Sequence, residues 1–275
     1  MKKLKRNERI GALVKVLSDS PNKVFTLSYF TELFNAAKST VSEDLVIVKR
    51  LMDKMAIGKV VTIPGAAGGV RYEPFSSKED IGILLDDICE AINDTKRIIP
   101  GGFLFLTDVL YNPAYVSKIG SIFAEYFMKN SIDYVITVET KGIPIAMMTA
   151  HALNVPLVIV RNENRVTEGS TLSINYVSGT TGKLRTMYAP KRSIEKGSNV
   201  LIIDDFMKGG GTAKGLVDLI NEFDSNVKGI GVLIETIEPQ DKMVSDYISL
   251  LTLDERSYDE GIRIFPSERF DSEKS

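Results

Sequence analysis

The sequence predicts an α/β chain in two parts: a small helical head ending in a β-hairpin, and a larger unit built on a parallel sheet with helices on both faces. Three observations carry this reading. Apolar residues first recur at helical spacing, then alternate over two short runs around a glycine-rich turn. Beyond Pro74, apolar runs of strand length alternate with helical patterns, the signature of a covered parallel sheet. Charge divides at the same place: residues 1–74 hold 13 Lys and Arg against 7 Asp and Glu, a net +6, while the remainder, 21 against 29, carries −8.

In the head, "NERIGALVKVLSDSP" places Ile10, Leu13, Val14 and Leu17 on one helical face and stops at Pro21. "TLSYFTELFNA" does the same with Leu27, Phe30, Leu33 and Phe34. "AKSTVSEDLVIVKRLMDKM" is expected to start at an N-cap, Ser39, and to bury Val41, Leu45, Val48, Leu51 and Met52. After Gly58 the period changes, and "KVVTIP" and "GVRYEP" read as strands joined by "GAAGG". Two short helices across a tight turn, followed by a hairpin, are the parts of a winged helix-turn-helix.

In that arrangement the helix after the turn enters the major groove of DNA with its early residues at base edges. Those are Lys38, Ser39, Thr40, Ser42 and Glu43, with Lys49 and Arg50 further along where phosphates pass. Arg6 and Arg9 in the basic head and Arg71 on the wing complete the candidate DNA contacts. The basic excess favours a polyanion. The same parts would also serve a helical protein-interaction module.

"PFSSKED" reads as a linker, giving domains 1–74 and 75–275. A helix around 79–94 is followed by "GGFLFLTDVL" as a strand and its loop, a helix 113–130, the strand "DYVITV", a helix 144–153 and the strand "PLVIV". A polar hairpin region, the strand "NVLIID", a helix 212–223 and the strand "GIGVLIET" complete the series. Leu157 to Val160 and Val200 to Ile203 are apolar at every position, as in strands buried on both sides.

One cysteine and one histidine exclude an internal disulfide and a zinc cluster, and they suit a reducing cytoplasm. Cys89, on an apolar helical face, reads as a buried thiol. No apolar run approaches the roughly 18 residues of a membrane span, and the basic start leads into no signal-peptide core, so no membrane partner is expected. No metal site is expected in the chain itself; any Mg²⁺ would arrive with a phosphate ligand.

The chemistry concentrates in "VLIIDDFMKGGGT". Asp204 and Asp205 fall at the carboxyl end of a buried strand, where parallel sheets bind ligands. Phe206, Met207, Lys208, Gly209, Gly210, Gly211 and Thr212 then lead into a helix. Glycines let backbone N–H groups converge on an anion, and the helix start adds its positive dipole end. Such a loop holds a monophosphate. The paired carboxylates would repel that phosphate, but they accept hydrogen bonds from vicinal hydroxyls. The combined target is a ribose 5-phosphate. Neither G-x-x-x-x-G-K-[ST] nor G-x-G-x-x-G is present, which disfavours a P-loop and a dinucleotide site.

This stretch resembles the 5-phosphoribosyl 1-pyrophosphate (PRPP) motif of the type I phosphoribosyltransferases: an apolar strand, two acids, a short loop, then Gly-Gly-Thr. "TVETKGIP" resembles the loop that receives pyrophosphate in the xanthine and adenine enzymes, with Thr140, Lys141 and Gly142 as its candidates. "STLSINYVSGTTGKLRTMY" reads as a hairpin; in the enzymes a mobile hairpin in this location closes over the reacting centre. With the wing, these motifs and "IPGGFLFLTD", which contributes Phe103, the chain is similar over nearly its full length to the purine operon repressors of Gram-positive bacteria.

The resemblance implies a homodimer whose winged helix binds double-stranded operator DNA upstream of purine genes and whose phosphoribosyltransferase-like domain binds PRPP as an effector. It implies guanosine tetra- or pentaphosphate as competitors. Lys208 stands where the enzymes have a small residue, and no purine pocket is recognisable in "DERSYDEGIRIFPSERF". Both points favour a sensor without a required cofactor and without catalytic residues. The alternative is an active purine phosphoribosyltransferase with a regulatory head.

Overall fold

The computed structural model describes residues 4–65, 68–99, 103–178, 182–255 and 263–270, with the backbone alone at Thr95 and Phe103. The tips of the wing and of the polar hairpin, and much of "DERSYDEGIRIFPSERF", therefore lie outside the described residues. The chain forms two compact units, the first of Met1–Ser77 with His151–Asn154 and the second of Lys78–Ala150 with Val155–Ser275.

The first unit contains α1 (Arg6–Ser18), α2 (Leu27–Phe34) and α3 (Lys38–Lys54), then the antiparallel strands β1 (Lys59–Ile63) and β2 (Gly69–Glu73). Thr26 caps α2 by accepting from the Tyr29 N–H at 3.2 Å, and Asn35 ends it in the left-handed conformation. That single residue makes the tight turn into α3. The core gathers Leu13, Leu17, Phe30, Phe34, Val41, Val48 and Met52 with Val60 and Val70 of the hairpin. A stack of aromatic contacts links Phe25, Tyr29, Phe30 and Phe34.

Two details of the head differ from expectation. α3 begins two residues earlier, with Ala37 as N-cap and no side-chain cap, so Ser39 lies exposed within the first turn. Leu51 is exposed, because the buried stripe runs Val41, Leu45, Val48 and Met52 and leaves Leu51 at its edge.

The second unit opens with α4 (Lys78–Ile92), which buries Cys89; burial pushes that thiol up to about 12, with help from the Asp86 charge. The segment expected as one strand is instead a short hairpin, β3 (Ile98–Ile99) with β4 (Phe103–Leu104), followed by a single helical turn, α5 (Thr107–Leu110). Then come α6 (Pro113–Phe127), β5 (Tyr134–Val138), α7 (Ile143–Leu153) and β6 (Leu157–Val160). The polar hairpin is β7 (Thr171–Val177) with β8 (Leu184–Pro190). β9 (Asn199–Met207), α8 (Gly211–Glu222), β10 (Asn226–Thr236), β11 (Tyr247–Asp254) and β12 (Arg263–Pro266) complete the unit.

The sheet runs in the order β12-β11-β10-β9-β5-β6, parallel throughout except for the antiparallel edge β12. β9 lies inside it, and Val200 to Ile203 are fully buried. Val200 and Ile202 point to α8 and the β7–β8 hairpin, within a core that includes Leu216, Leu219, Tyr176 and Met187. Their neighbours point the other way, where Ile203 and Phe123 of α6 close on Gly231. Helices therefore cover both faces, as the apolar runs predict. Leu157–Val160 differs: it forms an edge strand, and only Val158 and Val160 are buried. The strands β11 and β12 are additions to the predicted series.

The head depends on one buried ion pair. Arg9 of α1 donates from Nε to Asp44 of α3 at 2.7 Å, and from Nη1 to the Leu4 carbonyl at 2.9 Å. Asp44 is 1% exposed. Arg9→Ala leaves that carboxylate buried with only the exposed Arg6, 3.4 Å away, as a cationic partner, an expected loss of up to about 3–5 kcal/mol. Amide exchange across α1 and α3 in the full-length chain reads it; protection as in the wild type would show that the pair does not hold the helices together.

Candidate functional sites

On α3 the exposed residues are Lys38, Ser39, Glu43, Val46, Lys49, Arg50, Leu51, Asp53 and Lys54, with Thr40 and Ser42 half-buried. Lys38, Ser42, Val46 and Lys49 line a concavity of about 540 Å³ together with the start of α2 and the hairpin residues Thr62, Ile63, Gly65, Gly68 and Gly69. Ser39, Thr40 and Arg50 lie outside it. Arg6 stays exposed near Asp44 at 3.4 Å. Arg9 does not serve as a free cation, because its guanidinium is buried against Asp44. Arg71 is paired with Glu73 on its own strand. Sequence reasoning passed over Val46, which is 67% exposed amid polar neighbours; helical spacing from Ser42 and Lys49 is the signal that finds it.

The second site lies at the carboxyl ends of β5 and β9, which run side by side from Tyr134 opposite Val200 to Ile136 opposite Ile202. β9 continues through Asp204, Asp205 and Phe206 to Met207, so the acids are fixed in the sheet rather than in the loop after it. Asp204 Oδ1 accepts from the Asp205 N–H at 3.0 Å. Burial raises both carboxyls above the ordinary carboxylate range. The Asp205 charge raises Asp204 further, while hydrogen bonding to Asp204 and the charge of Lys141 restrain Asp205.

Glycine is required at two positions here. A Cβ on Gly142 would fall 2.6 Å from Thr137 Oγ1 and 2.8 Å from Asp204 Oδ1, so the loop after β5 passes directly against the carboxylate. Thr137 Oγ1, on the same spot, is a buried hydroxyl without a hydrogen-bond partner. Gly210, at φ +77°, is the N-cap of α8 and brings Gly211, Thr212 and Ala213 into its first turn. Their N–H groups have no acceptor within the helix.

Lys208 is not free to meet a phosphate in this structure. Its ammonium pairs with Glu255 at 2.8 Å, leaving the glycine backbone as the cradle. Lys242 supports the loop from behind, donating to the Lys208 carbonyl at 2.5 Å and the Thr236 carbonyl at 2.8 Å, while the Met243 N–H donates to the Gly209 carbonyl at 3.0 Å. Neither Glu255 nor Lys242 was marked by the sequence. Thr140 and Lys141 are exposed beside the acids. Only the backbone of Phe103 is described. Among the described residues no three His, Cys, Asp or Glu side chains gather as a metal site, and no helix is long and apolar enough to cross a membrane.

A winged helix joined to a parallel sheet of the phosphoribosyltransferase type defines a two-part protein. Residues 5–74 match the family model for the N-terminal part of the bacterial purine repressor, and residues 106–262 match the phosphoribosyl transferase domain. The chain belongs to the family of the purine biosynthesis transcriptional regulators. It is 47% identical over 251 residues to the purine biosynthesis transcriptional repressor PurR of Bacillus subtilis, covering 91% of this chain and 88% of that one. It is 41% identical over 251 residues to the purine biosynthesis transcriptional activator PurR of Lactococcus lactis, covering 91% and 93%. Among solved structures, adenine phosphoribosyltransferase from Rhodothermus marinus aligns with a TM-score of 0.52 at 26% identity, covering 61% of this chain and 99% of that one.

The raised carboxyls make a prediction about stability. For a carboxyl whose folded value is raised, the folded state holds the proton more tightly, so stability falls as pH climbs from about 4 through the raised value. At pH 7.5 the cost accumulated since about pH 4 is present. Asp204→Asn is therefore expected to raise the melting temperature at pH 7.5, by about 2–4 °C per kcal/mol relieved, and the gain should vanish near pH 4. Scanning calorimetry at the two pH values checks it; a lower melting temperature at pH 7.5 would contradict it.

Proposed function

We propose that the chain is a DNA-binding regulator of purine biosynthesis genes, acting as a repressor, and that PRPP bound at the β9–α8 site releases it from its operator. The observation that carries this is the pair Asp204 and Asp205, fixed at the end of β9 beside the unpaired N–H groups of α8. The carboxylates suit the ribose hydroxyls and the first turn of α8 suits the 5-phosphate. Thr140, Lys141 and Gly142 then face the pyrophosphate, and Mg²⁺, where present, comes with it. Guanosine tetraphosphate presents the same pyrophosphate chemistry and is expected to compete. The active species is read as a cytoplasmic homodimer with one winged helix per half-site.

The choice of sensor over enzyme rests on the regulator names carried by the similar full-length chains. The test is pyrophosphate release from PRPP with Mg²⁺ and each of hypoxanthine, guanine, xanthine and adenine. None is expected; turnover with any of them would make the chain a transferase.

Asp204→Ala is expected to weaken PRPP binding by about one to two orders of magnitude, since a charge-assisted hydrogen bond contributes about 1.5–3 kcal/mol. Its DNA affinity without effector should stay unchanged. By linkage it should remain on DNA at PRPP concentrations that displace the wild type. Calorimetry and gel shifts on DNA from upstream of purine genes measure both; undiminished PRPP binding would remove the assignment of the acids.

Replacing Lys49, on the rim of the concavity, should make the log–log salt dependence of DNA binding shallower by about 0.9 for each phosphate that is no longer neutralised. An unchanged slope would point to a different DNA-facing surface.

A further inference from the structure

The loop assigned to the pyrophosphate begins with a residue that should repel it. Glu139 directly precedes Thr140, Lys141 and Gly142, and its side chain is only 15% exposed. A bare carboxylate at this distance in sequence would oppose a polyanion in a partly desolvated site, where charge interactions are stronger than in water.

The structure shows how that charge is held. Glu139 Oε2 accepts from Arg161 Nη1 at 3.1 Å, and Oε1 accepts from the Asn162 N–H at 2.8 Å. Arg165 approaches to 4.0 Å. Arg161 is itself fixed, since its Nε donates to Glu168 at 3.1 Å and its backbone exchanges two hydrogen bonds with Tyr188 of β8, at 2.9 and 2.8 Å. Burial works against the Glu139 carboxylate, yet the Asn162 N–H and the Arg161 guanidinium outweigh it and hold the group below its ordinary range. It is ionised and fully engaged.

We infer that Arg161 is a positioning residue for the pyrophosphate loop: by neutralising and anchoring Glu139 it lets Thr140–Gly142 accept a polyanion, without touching the ligand itself. The inference rests on the reading that the loop after β5 receives pyrophosphate. It deepens that reading by naming what makes the loop tolerant of negative charge. Arg161 also links the loop to the β7–β8 hairpin, since its guanidinium holds Glu139 while its backbone holds Tyr188.

The experiment compares PRPP with ribose 5-phosphate, which lacks the pyrophosphate, by calorimetry on the full-length chain. Arg161→Met is expected to weaken PRPP binding by about tenfold or more, because Glu139 then presents an uncompensated charge to the pyrophosphate. Ribose 5-phosphate binding should stay within about twofold, which also reports a folded site. The double variant Glu139→Gln/Arg161→Met removes the exposed charge and should recover most of the PRPP affinity. Equal losses for both ligands, wild-type affinity for PRPP in Arg161→Met, or no recovery in the double variant would each overturn the inference. If the wild type binds ribose 5-phosphate but gains nothing from the pyrophosphate of PRPP, the assignment of the loop itself falls, and the inference with it.

Discussion

Two carboxylates held partly out of water at the end of an interior strand govern how the larger unit is built. Desolvation opposes the ionisation of both, and the Asp205 charge makes Asp204 harder still to ionise. A position this unfavourable persists only where the surroundings over-determine it. Here β9 is locked between β5 and β10, and its apolar residues are buried on both faces. The sheet supplies the rigidity, and the acids are available to whatever provides hydroxyl donors. The glycine loop follows the same logic: Lys242 and Met243 hold its carbonyls from behind, which leaves its N–H side open.

The head solves a different problem with a similar device. α3 must present a polar face to a ligand while its opposite face closes a small core. Asp44 lies on the inner side and is satisfied by Arg9, so a charged residue within the helix fixes α1 against α3 instead of disrupting their packing. The outer face then carries Lys38, Ser39, Val46, Lys49 and Arg50 without any structural duty that the described contacts reveal.

What could be read from the sequence was what is local in the chain. The helices of the head, the hairpin, and the passage from β9 through the glycines into α8 are each written in consecutive residues, so period, turn chemistry and motif spacing expose them. What escaped is set by distant partners. Lys208 reads as a phosphate ligand until Glu255, 47 positions away, is seen to hold it. Arg9 reads as one more basic residue of the head, because a sequence records a charge but not where that charge is used. Ser39 gave way to Ala37 as N-cap because the turn set by Asn35 fixes where α3 starts. β11 and β12 escaped because an edge of the sheet carries a mixed pattern instead of an uninterrupted apolar run. Their pairing across residues 247–266 is a tertiary fact.

The two hydrophobic cores have no residue in common. That of the head draws on Leu4 to Tyr72, and that around α8 on Tyr134 to Tyr247. Mutation can therefore explore the two independently. A substitution on the outer face of α3 leaves the core around α8 unchanged, and one inside that core leaves the packing of the head unchanged. Each set of apolar residues answers to its own packing constraint, so the surface that one core supports can diverge while the other is held.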